Sequence, residues 1–184
     1  MDLRSTILGL LSWQPFSGYD LKRIISQSDI FYWSGNNNQI YKSLIELQKS
    51  GLVNYEVQVQ EGLPAKKVYS ITEKGRQELR RSLLSTPELP DLRKGFLIQL
   101  AWADPLTDAE VLELLEQYEA DIANLLQMHQ AQARKPEERP ERSPRERYLW
   151  ERIMANITST YQSELEWVRQ TKQEIAGGSY RQKE

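Results

Sequence analysis

Between positions 36 and 49 the sequence NNNQIYKSLIELQK concentrates side chains suited to reading nucleic-acid edges. Asn and Gln carry a donor and an acceptor that match an adenine edge, and Lys reaches guanine acceptors or phosphate oxygens. On a helix advancing about 100° per residue, Asn38, Gln39, Lys42, Glu46 and Lys49 fall on one side, and Ile40, Leu44 and Leu47 fall in a narrow arc on the other. Asn36, Asn37 and Asn38 stand at the N-terminal end, the end of a recognition helix that usually enters a major groove. A capped and solvated helix face would hold the same residue types, so the neighbouring segments decide between the two. Tyr41, beside the apolar stripe, either donates to a phosphate or packs. Downstream stands EGLPAKK, with Gly62 and Pro64 as turn residues and Lys66 and Lys67 leaving the turn. Paired lysines there suit phosphate contact, where charge matters more than geometry. Lysine at a hairpin edge also discourages strand-to-strand aggregation.

The elements needed to hold these side chains can be read on either side. Gly51 is placed to close the first helix in the left-handed conformation, with Leu52 covering its last turn. Val53, Tyr55, Val57 and Val59 then alternate with Asn54, Glu56, Gln58 and Gln60, a period of two that predicts a half-buried strand. Val68 to Ile71 returns as a second strand. Thr72 caps a further helix to about Ser85, with Leu79 and Leu83 inward and Arg76, Arg80 and Arg81 outside. Upstream, Leu3, Ile7, Leu10 and Leu11 mark a helix ended by Gln14-Pro15. Ser17 caps another to Ser26, with Asp20 in its first turn and Leu21, Ile24 and Ile25 inward. Residues 29–35 form an aromatic loop containing Phe31, Tyr32 and Trp33. A polar-faced helix, a hard stop, two strands around a basic turn and another helix is how a winged helix reads.

Thr86-Pro87-Glu88-Leu89-Pro90 cannot continue a helix and is read as a linker. The expected domains are a winged helix over 1–86, a helical domain over 91–178 and a tail over 179–184, so the fold is mainly α with a small β-hairpin wing. Asp91 to Trp102 predicts a short helix with Phe96, Leu97 and Leu100 apolar. Thr107-Asp108-Ala109-Glu110 is a capping box opening a long helix. In it Val111, Leu115, Tyr118, Ile122, Leu125 and His129 recur as a heptad seam. Ser143-Pro144-Arg145-Glu146 opens a last helix, running to about Ala176 before Gly177-Gly178 and reaching about 50 Å at 1.5 Å per residue. Long seamed helices with few loops point to an antiparallel helical dimerisation domain. Flat aromatics near such a seam, here Phe96, Trp102 and Trp150, either sandwich a planar effector or act as packing anchors.

Composition narrows the function classes. The chain of 184 residues has 39% hydrophobic and 27% charged residues, enough to bury a core. It holds no cysteine and one histidine, His129. Disulfide frameworks and thiolate metal sites are thereby excluded, and a histidine triad or first-row metal site is starved of ligands. No enzyme activity, metal or cofactor is expected. No signal peptide is read at the start, no apolar run approaches the roughly 20 residues of a membrane span, and a cytoplasmic location fits. The net charge of −2 is uneven: residues 1–85 hold 11 Lys and Arg against 8 Asp and Glu, and the remainder 13 against 18. A mildly basic first half and an acidic second half fit one part facing phosphates and another facing protein, although small imbalances of this kind also arise by chance.

At the level of whole segments, ILGLLSWQPFSGYDLKRII, NNNQIYKSLIELQKSGLV and EGLPAKKVYSITEKGRQEL resemble the PadR family of bacterial transcriptional regulators. The helical half, LRKGFLIQLAWADPLTDAEVLELLEQYE and SELEWVRQTKQEI, is similar to the family's longer-tailed branch. The resemblance implies a dimeric winged-helix repressor whose C-terminal helices exchange contacts between subunits. It also implies, by analogy with some relatives, a phenolic or flat aromatic effector. The position after Tyr41 is often proline in the family and is Lys42 here, which adds a groove-facing charge. The expected function is a sequence-specific DNA-binding transcriptional regulator, a repressor holding a palindromic operator as a homodimer. The other reading is a winged-helix protein-interaction module without DNA binding.

Overall fold

Asp2 starts the first helix by accepting a hydrogen bond from the Ser5 N–H at 2.9 Å, so the chain is structured almost from its first residue. The computed structural model describes residues 2–28, 38–60, 63–89, 94–134 and 143–182. The elements are α1 (Leu3–Trp13), β1 (Phe16–Ser17), α2 (Gly18–Ser26), α3 (Asn38–Lys49), β2 (Val53–Gln60), β3 (Leu63–Ile71), α4 (Glu73–Leu83), α5 (Gly95–Ala101), α6 (Asp108–Arg134) and α7 (Pro144–Ala176), then a 3-10 turn at Ser179–Gln182. They fall into two compact units, Met1–Pro90 and Asp91–Glu184.

In the first unit α1, α2 and α3 enclose a core that includes Ile7, Leu10, Leu21, Leu44 and Leu47, closed by Leu52, Val53 and Tyr69 from the sheet side. Ser17 caps α2 as expected, and Asp20 returns the bond to make a reciprocal capping box, which fixes where α2 begins. The sheet is antiparallel in the order β1-β3-β2. Its shortest strand, Phe16–Ser17, escapes sequence reading because two residues carry no periodicity.

The hairpin departs from expectation in two ways. The second strand begins at Leu63 rather than Val68, so Lys66 and Lys67 lie within the ladder, opposite Gln58 and Val57. The register shifts between Gln58, opposite Lys66, and Gln60, opposite Leu63. A bulge at this point suits Pro64, which has no N–H to give the ladder. Secondly, the alternating apolar residues of β2 are inward only at its base. Val53 is buried and Tyr55 half-buried, but Val57 is exposed and Val59 is 87% exposed, because the hairpin runs out past the core. Leu83, expected inward, is also exposed; on α4 it is Ser82 that turns to α1, where it accepts from the Ser5 hydroxyl at 3.1 Å.

In the second unit α6 and α7 pack as an antiparallel hairpin. Their contacts run in opposite senses: Asp108 accepts from the Tyr180 hydroxyl, Glu119 from Arg169 and Lys172, and Tyr118 donates to Glu164. Hydrogen bonds from Arg169, and then from Lys172, hold the Glu119 carboxyl below its usual range. Leu115, Ile122 and His129 of the heptad seam are buried, as are Leu165 and Val168 of α7. The seam therefore finds much of its cover within the chain, which its periodicity alone could not reveal; of its residues Leu125 stands most open. The segment expected to fray after Gly178 instead forms the 3-10 turn that carries Tyr180 to Asp108. Among the described residues no helix is long and apolar enough to cross a membrane, and no cluster of acidic or histidine side chains could hold a metal.

Candidate nucleic-acid interface

The polar-faced helix is realised as α3. Ile40, Leu44 and Leu47 are buried, and Asn38, Gln39, Lys42, Glu46 and Lys49 are all exposed. Asn36 and Asn37 lie outside the described residues, as do the aromatic loop and the hairpin turn at Glu61 and Gly62. Gly51 has φ +70°, and the chain closes α3 with two bonds, Gly51 N–H to the Gln48 carbonyl and Leu52 N–H to the Leu47 carbonyl, both 2.9 Å. This is a Schellman motif with its apolar cover supplied by buried Leu52. The end is then tied to α4. Thr72 donates from its hydroxyl to the Gly51 carbonyl at 2.8 Å and accepts from the Gly75 N–H at 3.0 Å, while Lys74 reaches the Ser50 carbonyl at 2.9 Å. Gly75 itself is pressed against the Leu52 carbonyl: a Cβ there would stand 2.2 Å from that oxygen.

At the other end of α3, Tyr41 lies across the start of α2. A Cβ on Gly18 would be 2.6 Å from Tyr41 Cε1, so the glycine is what allows the ring to settle there. Tyr41 remains 45% exposed. It thus packs on α2 and still leaves part of its ring at the surface. Burial raises the Tyr69 hydroxyl above its ordinary range, and Lys67 pulls it back only in part. The Tyr55 and Tyr69 rings are 5.7 Å apart, and the Lys67 ammonium sits 4.3 Å from the centre of Tyr55.

Register separates the two wing lysines. Neighbours along a strand point to opposite faces and directly paired residues share one. Lys67, opposite Val57, therefore lies on the face that carries Tyr55, Tyr69 and, further in, α3; Lys66, opposite Gln58, lies on the reverse. Three exposed apolar residues near this surface are not evident from sequence. Val57 and Val59 alternate as core residues do, and Ile45 sits in a helix already supplied with three inward residues. Its angular position, set apart from that inward arc, is the available signal.

The expected effector residues lie on two helices, Phe96 and Trp102 at the two ends of α5 and Trp150 on α7. Phe96 stacks on Tyr118 with ring centres 3.8 Å apart, and Trp167 meets it edge-on at 6.4 Å. Trp102 is 79% exposed just past the end of α5. Trp150 is half-buried near the start of α7, about 20 Å of helix away from Glu164, which bonds Tyr118. An open groove of about 840 Å³ between α6 and α7, with Ala123, Leu126 and Leu165 among its walls, includes none of the three. Lys94 also pairs with Glu164. Burial acts to raise that carboxyl, but the bonds from Lys94 and Tyr118 outweigh it and leave it below the usual range.

Residues 7–81 match the transcriptional regulator PadR-like family, and residues 92–176 match the family described as virulence activator alpha C-term. Over 128 residues, 67% of this chain and 70% of the relative, the sequence is 29% identical to the negative transcriptional regulator PadR of Bacillus subtilis. The crystal structure of that organism's PadR in complex with operator DNA is similar with a TM-score of 0.81 at 24% identity, covering 94% of this chain and 98% of that one. Its structure in complex with p-coumaric acid gives 0.73 at 22% identity, with 95% of each chain covered. At these identities the likeness to the two structures is one of fold.

Proposed function

We propose that this chain, whose residues 7–81 match the PadR-like family of transcriptional regulators, binds DNA in a sequence-specific way through α3 and the β2–β3 wing, acting as a repressor. The observation that carries the reading is the division of α3 into a buried apolar arc and an outward face bearing Asn38, Gln39, Lys42 and Lys49. Such a face offers paired donors and acceptors for base edges and cations for guanine or phosphate. Asn36 and Asn37 extend it in sequence. Tyr41 and Lys67 flank it and supply phosphate contacts that fix register, with Lys66 as a second cation on the wing. A relative of similar extent is a negative regulator, and one of similar fold is held on operator DNA, which favours DNA over a protein partner for this surface.

The same reading makes the protein a cytoplasmic homodimer on a near-palindromic site, with no catalytic step. Exposed apolar residues of the second unit, among them Leu125 and Met128 on α6 and Leu149 and Ile153 on α7, favour a second copy as their cover. Half-sites should then lie about 10 bp apart. A small planar aromatic effector remains part of the proposal because a relative binds p-coumaric acid. Phe96 with its stacking partner Tyr118 is the better-supported contact for it, and Trp102 and Trp150 are separate surfaces.

Selection of bound fragments from a random duplex library by the full-length chain, with light scattering of the free protein, tests the reading. The expected result is one enriched, two-fold symmetric motif and a dimer at micromolar concentration. Asn38→Ala and Lys42→Ala should each weaken the selected site by about 1–3 kcal/mol and relax base preference. Failure to enrich any motif at low salt would overturn sequence-specific binding.

A further inference from the structure

Ile45 is an aliphatic residue on α3 that gains little from the fold. Taking the direction midway between Ile40, Leu44 and Leu47 as inward, the outward stripe of the helix at 3.6 residues per turn is Asn38, Lys42, Ile45 and Lys49. Ile45 is 50% exposed, while the inward three are at most 4% exposed. Its neighbours on the stripe, one turn before and one after, are the exposed lysines 42 and 49. An isoleucine on a solvated helix face costs some helix propensity relative to the straight-chain residues around it. The major groove offers one apolar feature that such a side chain can recognise, the C5-methyl of thymine.

We propose that Ile45 is a specificity-determining residue that reads a thymine methyl from the outward stripe of α3, between the cationic contacts of Lys42 and Lys49. The proposal rests on α3 being the DNA-reading helix. It adds a contact of a different kind, since hydrogen-bonding Asn and Gln and charged Lys do not sense a methyl group. Because the contact is apolar, it is insensitive to salt, whereas loss of a lysine–phosphate contact changes the salt slope.

The experiment pairs a substitution in the protein with the deletion of one methyl group in the DNA. The probe is the duplex enriched by the full-length protein, with each thymine in turn replaced by deoxyuridine, which keeps every hydrogen-bonding group and lacks only the methyl. Binding is read by fluorescence anisotropy for the parent and for Ile45→Ala, whose melting temperature is recorded alongside. At one thymine per half-site, deoxyuridine should weaken the parent about three- to fivefold, the value of one buried methyl-sized group. The same replacement should leave Ile45→Ala unchanged, and the salt slope should be equal for both proteins. If no thymine distinguishes parent from variant while both bind the duplex, the proposal is wrong and the DNA-binding reading stands. If no duplex is enriched at all, that reading has failed first. Alanine is favoured in helices and position 45 is half-exposed, so the variant should melt close to the parent. A second variant, Ile45→Val, retains branched apolar surface and should keep part of the thymine preference; a Val variant indistinguishable from Ala would also count against the proposal.

Discussion

Replacing Gly18 with alanine separates the role of Tyr41 in the fold from its role at the interface. The new Cβ would stand 2.6 Å from Tyr41 Cε1 and 3.3 Å from Cδ1, whereas carbon–carbon contact is comfortable only beyond about 3.5 Å. The obstacle is a side-chain ring already 45% exposed. It can swing outward by about 1 Å without moving α2 or α3. Stability should therefore fall by less than about 1 kcal/mol, partly offset because alanine suits a helix better than glycine. Binding should suffer more. A shift of about 1 Å carries a hydroxyl–phosphate bond from about 2.7 Å past the range in which it exists. A hydrogen bond to a charged group contributes about 1.5–3 kcal/mol, so operator affinity should drop by about ten- to a hundredfold. Tyr41→Phe is the comparator, because it removes the hydroxyl and leaves the ring in place. Anisotropy titrations on the selected operator, together with circular-dichroism melts, should show similar affinity losses for the two variants and melting points within about 5 °C of the parent. A Phe variant that binds as tightly as the parent would reduce Tyr41 to a packing residue. An alanine variant at position 18 that melted far lower would mean that the ring cannot move, and the reasoning from its exposure would be wrong.

The wing lysines should prove unequal: Lys67→Ala should lower the slope of log affinity against log salt by about one unit, and Lys66→Ala should change it less, since register puts Lys66 on the reverse face. Equal changes in the two titrations would defeat the argument from strand faces. Gly75→Ala should be the most damaging single-methyl change in the first unit, because the Cβ would lie 2.2 Å from a backbone oxygen rather than a movable side chain. A cost of about 3 kcal/mol and a fall in melting temperature of more than about 10 °C are expected; a shift under about 3 °C in a thermal melt would show that α4 gives way freely.

What the sequence disclosed and what it hid divide along physical lines. Ser17 with Asp20, Gly51 with Leu52, and Thr72 are legible because caps and stops are local: the residues that satisfy a helix end lie within a few positions of it. The inward stripe of α3 is legible for the same reason. Strand period is a weaker guide. It states which residues share a face but not how far along the strand the core extends, so it places Val57 and Val59 inward when they lie on an outrun of the hairpin. The heptad seam shows the same gap at larger scale. Its spacing requires a partner for Leu115, Ile122 and His129 but cannot say whether the partner is α7 or another copy, because the period within one helix carries no record of which helix packs against it. Gly18 and Gly75 are invisible, since neither needs an unusual backbone angle; each is demanded by a neighbour distant in sequence.

The placement of α3 separates the residues that hold the helix from those on its outward stripe. Its inward arc is held by the core, and its C-terminal end by Gly51, Leu52 and the Thr72 and Lys74 bonds. None of these anchors draws on Lys42, Ile45 or Lys49. Substitutions on that stripe should therefore exchange one operator for another at little cost in stability, as surface changes away from caps and core usually do. Substitutions at the anchors should weaken binding to every operator alike, because they move the whole face rather than change what it reads. Lys42 is such a stripe residue, exposed on the outward side of α3. Lys42→Ala should therefore change which DNA is preferred while leaving the melting temperature within about 3 °C of the parent.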